Sequence, residues 1–355
     1  MTSLDDLPIR DDLRGLKPYG APQEPVPVQL NVNENTHPIP EAVATDIVMS
    51  LAQAVLGANR YPDREFTVLR ESLADYLGHD LAPENIWAAN GSNEVLQHVL
   101  QAFGGPGRSV LGFPPTYSMH SIIASGTGTR WVPAERDENY TLSPGTVTAA
   151  IERERTDIVF LCSPNNPTGT PLGLDVIAAA YEATDGIVLV DEAYAEFADG
   201  ESALTLLEGR PRLLISRTMS KAFAFAGIRL GYLAADPAVI DALRLVRLPY
   251  HLSSLTQAAA VAALAHSGEM LAMVDDIKRQ RDRMIEALPA LGYTPLPSAA
   301  NFVLFGGVAD PHELFLKLFG EGILIRDVGI PHHLRVTAGT EAETDLFLEA
   351  LERLS

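Results

Sequence analysis

The segment Ser216-Arg217-Thr218-Met219-Ser220-Lys221-Ala222, followed by Ala226-Gly227-Ile228-Arg229-Leu230-Gly231, is where residue types and spacing point most directly to chemistry. Lys221 comes after an apolar run and sits among small and apolar residues. Partial burial lowers an ammonium's pKa and favours the free amine that attacks carbonyl groups to form a Schiff base. Ser220 and Arg229 add a hydroxyl and a guanidinium, a pair suited to one phosphate group. The ordinary alternative is a lysine at a helix start whose stem snorkels to solvent.

A second segment runs Ile187-Val188-Leu189-Val190-Asp191-Glu192-Ala193-Tyr194. A carboxylate directly after a buried strand is costly without a cationic partner. A protonated ring nitrogen is such a partner, and the pairing keeps that ring an electron sink. Tyr194, three residues on, could reach a phenolate oxygen of the same ring. Otherwise Asp191 simply caps a helix. Ser163-Pro164-Asn165-Asn166-Pro167-Thr168-Gly169 reads as a turn-rich loop, from which Asn166 could donate to that same oxygen. Asn90-Gly91-Ser92-Asn93-Glu94 opens a helical stretch whose N-terminus would attract an anion; its ordinary reading is an N-cap at Ser92. Tyr117, in Pro114-Pro115-Thr116-Tyr117, could stack on a flat ring or fill a core. Each signal alone has a plain structural explanation, but their conjunction at the ends of successive strands does not.

The elements that must position these residues are readable. Residues 92–103 place Val95, Leu96, Val99, Leu100 and Phe103 on one helical stripe. Short apolar runs at 109–113, 157–161, 187–190 and 213–216, separated by helical segments, predict buried strands of a largely parallel sheet. Ligands of such sheets sit outside the carboxyl ends of the strands. After Tyr250 the texture changes to an Ala-rich helical stretch over 254–290, then apolar runs at 301–305, 323–326 and 334–337. The expected organisation is an N-terminal arm (1–44, rich in proline) joining the small domain, a large domain (45–250) and a small C-terminal α+β domain (251–355).

The 355 residues, 46% hydrophobic and 20% charged, allow a large core, and the net charge of −20 argues against nucleic acid or an anionic membrane as partner. Cys162 is the single cysteine, so no intrachain disulfide is possible; it follows an apolar run and reads as a buried small hydrophobe. The acidic start lacks an apolar h-region, predicting no signal peptide, and no run approaches the length of a membrane span. A soluble cytoplasmic protein is expected. The nine histidines offer no metal-ligand spacing.

Taken together, NVNEN (31–35), RYPD (60–63), NGSNE (90–94), SPNNPTG (163–169), VDEAYAEF (190–197), RTMSKAFAFAGIRLGY (217–232), LPYHLSS (248–254), PSAANFVLF (297–305), ILIRDVG (323–329) and LRVTAG (334–339) resemble the fold-type I pyridoxal 5′-phosphate (PLP) aminotransferases. Within them the chain resembles the histidinol-phosphate aminotransferases of the actinobacterial type, from about Leu13 to Leu351. The resemblance implies an α/β fold, with a large mostly parallel-sheet domain and a smaller α+β domain, and PLP as cofactor. It implies that Lys221 holds the cofactor as a Schiff base and then carries the proton of a 1,3-shift. Asp191 would pair with the pyridine nitrogen, Asn166 and Tyr194 with the phenolate oxygen, and Tyr117 with the ring face. Ser92, Asn93, Thr218, Ser220 and Arg229 would surround the phosphate, joined by Tyr61 from the neighbouring subunit of a homodimer. Arg335 would hold the substrate anion, with Arg326, Tyr19, Asn33 and Tyr250 nearby. Phe225 stands where the family often has Leu, and Thr36-His37 intervene before Pro38.

The implied reaction exchanges the amino group between histidinol phosphate and 2-oxoglutarate, giving imidazole-acetol phosphate and glutamate. An aromatic amino-acid aminotransferase is the neighbouring alternative, with Arg335 on an α-carboxylate. A non-catalytic PLP-binding regulator would need a basic DNA-binding module, which no segment supplies.

Overall fold

Ile158-Val159-Phe160-Leu161-Cys162 and Ile187-Val188-Leu189-Val190 are continuous apolar runs, the pattern of strands covered on both faces. In the computed structural model, which describes residues 3–15 and 18–354, they lie in the centre of a seven-stranded sheet. In chain order the strands are β1 (Val28–Gln29), β2 (Ile86–Ala89), β3 (Ser109–Gly112), β4 (Arg130–Pro133), β5 (Ile158–Cys162), β6 (Ile187–Asp191), β7 (Leu213–Thr218), β8 (Gly231–Ala234), β9 (Thr294–Pro295), β10 (Phe302–Gly306), β11 (Ile323–Leu324) and β12 (Leu334–Thr337). The large sheet has the order β2-β8-β7-β6-β5-β3-β4, and β8 alone runs antiparallel to its neighbours. Every residue of β5, β6 and β7 is buried. Each fully buried Val, Leu or Ile in such strands contributes about 1.5–3 kcal/mol.

The helices are α1 (Glu41–Leu56), α2 (Thr67–Leu77), α3 (Ser92–Phe103), α4 (Met119–Thr127), α5 (Pro144–Glu154), α6 (Leu174–Glu182), α7 (Pro237–Val246), α8 (Ser254–Ala265), α9 (Ser267–Ala287), α10 (Pro311–Gly320) and α11 (Glu341–Leu354). The α3 bounds coincide with the expected stripe, and Val95, Leu96, Val99 and Leu100 are fully buried. The Ala-rich stretch is not one helix. It divides at His266, whose φ of −114° and ψ of 31° interrupt the α-helical path.

A three-stranded antiparallel sheet, β12-β10-β9, forms the second unit. The arm contributes to it: β1 pairs in parallel with β11, and Val28 and Leu30 join Met284, Phe305 and Phe347 in a separate core. The two cores meet along α9. Ala259, Ala260 and Ala263 of α8 and Met270 and Ile277 of α9 pack into the large core, and Met284, further along α9, reaches the small one. Small alanine side chains let α8 lie close against α1 and α2, which is why this stretch stays with the large sheet. No helix among the described residues is long and apolar enough to cross a membrane.

Candidate active site

The parallel register of β5, β6 and β7 brings Cys162, Asp191 and Ser216 side by side at the carboxyl end of the sheet. Because β8 runs antiparallel, Gly231 at its start lies beside both Thr218 and Ala89, so the turn before α3 meets the lysine strand. A Cβ on Gly231 would lie 2.1 Å from the Ser92 backbone nitrogen. One on Gly91, whose φ is +88°, would lie 2.3 Å from Arg229 Nη2. These two glycines let the α3 N-terminus, Arg229 and the Thr218-Ser220 turn converge. Arg229 itself has a left-handed φ of 63° and donates to the Asn90 carbonyl at 3.4 Å. The residue capping the helix is Gly91, and Ser92 is its first helical residue, contrary to the N-cap reading.

These groups open into a cavity of about 440 Å³. It is lined by Lys221, Asp191, Tyr194, Asn166, Ser92 and Asn93, and equally by Tyr117, Thr218, Ser220 and Arg229. Tyr19, Asn33, Arg326 and Arg335 complete the wall on the arm side. Fourteen of the residues singled out from the sequence are therefore in one place. Tyr61 and Tyr250 are not. Their rings stack on each other with centroids 4.4 Å apart, outside the cavity, and 78% of Tyr61 is exposed.

Lys221 Nζ donates to the Val32 carbonyl at 3.1 Å. Burial, and secondarily the Arg335 guanidinium, lower its pKa to about 8, against a partial counter-effect from Glu34. Asp191 is 1% exposed; its Oδ2 meets His120 Nε2 at 3.0 Å, and its Oδ1 has no partner. Tyr117 stands edge-on to His120 and donates to Asn93 Oδ1 at 3.2 Å. Burial pushes the Tyr117 hydroxyl up to about 12, so it stays protonated. Cys162 is buried, and desolvation raises its thiol pKa far out of the reactive range, as expected for a packing cysteine.

On the opposite wall Arg326 and Arg335 face each other across an antiparallel bridge, each backbone N–H donating to the other's carbonyl at 2.9 Å. Arg335 donates to Asn166 Oδ1 at 2.6 Å and to the Asn31 carbonyl at 2.7 Å, but its Nε is buried without a partner. Burial, with Tyr194 as partial counterweight and Arg326 adding to the cost, lowers its pKa to about 10, so it remains a cation at neutral pH. Arg326 lies 6.0 Å from the centre of the Tyr19 ring.

Three contributors had no sequence signal strong enough to find them. His120 could have been noticed only as a histidine three residues after Tyr117. The carbonyls of Asn31 and Val32 are invisible in any sequence, because only the docking of the arm gives them partners. Among the described residues no group of three His, Cys, Asp or Glu side chains is placed to hold a metal ion.

The family model described as aminotransferase class I and II matches residues 25–351. The chain is 62% identical over 356 residues to a histidinol-phosphate aminotransferase of Paenarthrobacter aurescens, covering 99% of this chain and 96% of that one. It is 58% identical to a histidinol-phosphate aminotransferase of Frankia casuarinae, covering 98% and 90%. Among solved structures it resembles the histidinol-phosphate aminotransferase of Sinorhizobium meliloti, in complex with pyridoxal-5′-phosphate. The TM-score is 0.87 at 26% identity, covering 98% of this chain and 97% of that one. With strand-end lysine, aspartate and phosphate-type cradle in one cavity, the chain belongs to the class I and II aminotransferases, in the group of the histidinol-phosphate aminotransferases.

Proposed function

We propose that this chain is a PLP-dependent aminotransferase interconverting histidinol phosphate plus 2-oxoglutarate with imidazole-acetol phosphate plus glutamate, in the biosynthesis of histidine. The observation that carries the substrate assignment is the pair Arg326 and Arg335, bridged in the cavity that also holds Lys221, with the buried Arg335 Nε left free. A guanidinium fork suits a phosphate and a carboxylate alike, so one site can serve both substrates in turn.

The residues present fit PLP. The unpartnered Asp191 Oδ1 is a buried anion in want of a cation, which a protonated pyridine nitrogen would supply. Ser92, Asn93, Thr218, Ser220 and Arg229 would hold the phosphate, with the N-terminal dipole of α3 adding to the attraction. Asn166 and Tyr194 would hold the ring oxygen, and Tyr117 would cover the ring face. When bound, the cofactor supplies an electrophilic carbonyl for the substrate amine and a ring that takes up the electron pair released at the substrate α-carbon.

The chain's own residues do the rest. Lys221, with its pKa near 8, is about one tenth free amine at pH 7 and about half at pH 8, far more than an ordinary lysine, so it can act as nucleophile and then take the proton from the substrate α-carbon. Asp191 would hold a protonated ring nitrogen, and His120 orients that carboxylate at 3.0 Å. Arg335 and Arg326 bind the anionic end of the substrate and so fix which α-carbon faces Lys221. The raised pKa of Tyr194, caused by burial, keeps its hydroxyl a donor.

A homodimer with shared sites completes this reading. Tyr61 and Tyr250 form an exposed aromatic pair, and α1 carries exposed Val48, Met49, Val55 and Leu56 on the same chain stretch. Such a patch is a docking surface in want of a partner, and Tyr61 would reach the cofactor phosphate of the other subunit. We place the enzyme in the cytoplasm, with a large PLP-binding domain, a small domain and an arm that closes on it.

The test mixes the PLP-loaded protein, without keto acid, with histidinol phosphate or with phenylalanine, and follows the loss of the lysine–cofactor absorbance. Fast conversion with histidinol phosphate and slow conversion with phenylalanine are expected. The reverse order would move the enzyme to aromatic amino acids and remove the phosphate role of Arg326 and Arg335. No conversion with either would leave the fold and refute the activity.

A further inference from the structure

We propose that Asn33 is a positioning residue that makes the Tyr194 hydroxyl an obligate hydrogen-bond donor toward the cavity, so that docking of the N-terminal arm sets the charge on the cofactor's ring oxygen. The proposal rests on the PLP reading above and gives Asn33 a part different from the substrate contact expected of it.

A phenolic hydroxyl has one proton to give and two lone pairs with which to accept. Tyr194 Oη accepts from Asn33 Nδ2 at 3.0 Å and from Asn166 Nδ2 at 3.2 Å. The Asn166 amide is oriented by a partner that can only donate, and the Asn33 amide by a hydroxyl whose proton points to it. Asn166 Oδ1 faces Arg335, which can only donate, so its Nδ2 must face the tyrosine. Asn33 Oδ1 receives the Thr337 hydroxyl at 3.2 Å, while that hydroxyl's oxygen accepts from the Asn33 backbone N–H at 3.0 Å. With both lone pairs filled, the Tyr194 proton is left only for an acceptor in the cavity. Asn33 is 1% exposed, Tyr194 4% and Asn166 7%, so water does not compete for these bonds.

The backbone supports the same reading. Asn33 has a left-handed φ of 56°, an uncommon conformation for a residue other than glycine. It is held there by Asn301 Nδ2 on its carbonyl at 3.0 Å and by the Thr337 contacts. The two residues before it also meet catalytic groups: the Asn31 carbonyl accepts from Arg335 and the Val32 carbonyl from Lys221. Three consecutive arm residues thus hold the anion-binding arginine, the lysine and the tyrosine. Docking of the arm and readiness of the chemistry are one event.

The test is the pH midpoint of the lysine–cofactor absorbance. A hydrogen bond donated to the ring oxygen weakens that oxygen's hold on the protonated lysine nitrogen, so loss of the donor raises the midpoint. Asn33→Asp offers an acceptor where an amide donor stood and turns the Tyr194 proton away from the cavity. We expect its midpoint to rise by about one unit, the size of one charge-assisted hydrogen bond. Asn33→Gly tolerates the left-handed φ and only empties one lone pair, so its shift should be smaller. In a Tyr194→Phe background Asn33→Asp should shift the midpoint clearly less, since only the added charge then acts and no hydroxyl remains to turn.

An unchanged midpoint in Asn33→Asp overturns the proposal, whatever happens to KM. So does an equal shift in the Tyr194→Phe background, which would reduce the effect to the added charge. Should Asn33→Asp fail to fold, Thr337→Val removes the hydroxyl that orients the amide, and a smaller upward shift is expected in its place. A wild-type protein lacking any lysine–cofactor absorbance would refute the cofactor reading itself, and this one with it.

Discussion

The wall of the cavity made by β5, β6, β7 and α3 is built from residues at or next to strand ends, whereas the facing wall is assembled from places far apart in the chain. Asp191 closes β6, Lys221 follows β7 by three residues, and Ser92 opens α3. On the other side Asn33 meets Thr337 across 304 positions, and Arg335 meets Asn166 across 169. The first wall is a consequence of sheet register; the second exists only when the arm and the small sheet close over it. Under the function proposed above, the sheet-built, rigid wall would serve the cofactor and the closing wall the substrate.

The strongest way to break this comparison is Lys221→Ala. Loss of the nucleophile and acid/base should lower kcat by about 10⁴-fold, while cofactor phosphate binding, measured by equilibrium dialysis, survives in the rigid wall. Substrate binding should then still depend on Arg335. Arg335→Lys keeps a charge but loses the fork, and kcat/KM should fall by about 100-fold for histidinol phosphate and for glutamate together. A loss confined to one substrate would separate the two anions and contradict the shared site.

Gly91→Ala strikes the rigid wall in turn. A Cβ there meets Arg229 and demands a left-handed backbone, a strain of about 2 kcal/mol or roughly 30-fold in PLP affinity. Its KM for the amine, once saturated with cofactor, should be nearly unchanged. The smallest effect is that of pH on reconstitution. With a Lys221 pKa of about 8, the rate of absorbance return after adding PLP to the apoprotein should fall about tenfold per unit below that pH. The sign for stability follows from the same shift. The folded lysine binds its proton less tightly than the unfolded one, so its contribution makes the apoprotein more stable as pH rises from about 8 toward the ordinary lysine range near 10.5. A reconstitution rate that keeps rising about tenfold per unit through pH 9, with no levelling near pH 8, would place the lysine in ordinary solvent.

How far the molecule could be read beforehand follows the same line. The strands after Arg108, Asp157, Gly186 and Arg212 were legible because buried parallel strands leave continuous apolar runs, and their polar ends were legible as chemistry because ligands gather there. The break at His266 and the packing of α8 on the large core were not, since alanine-rich helix carries little directional pattern. Tyr250, expected near the substrate anion, lines no part of the cavity and stacks on Tyr61 instead, a contact between positions 189 residues apart that no local pattern encodes.

What the sequence by itself determined is therefore local: the strand runs, the α3 helix, the lysine and the aspartate. Each follows from short-range sterics and the burial of neighbouring side chains. Tertiary structure alone decided which lone pairs Tyr194 has left, that the Arg335 Nε stays free, that His120 meets Asp191 and that arm carbonyls hold Lys221 and Arg335. Hydrogen bonds depend on direction and on distances of a few tenths of an ångström, and those are set only when segments hundreds of residues apart come to rest together.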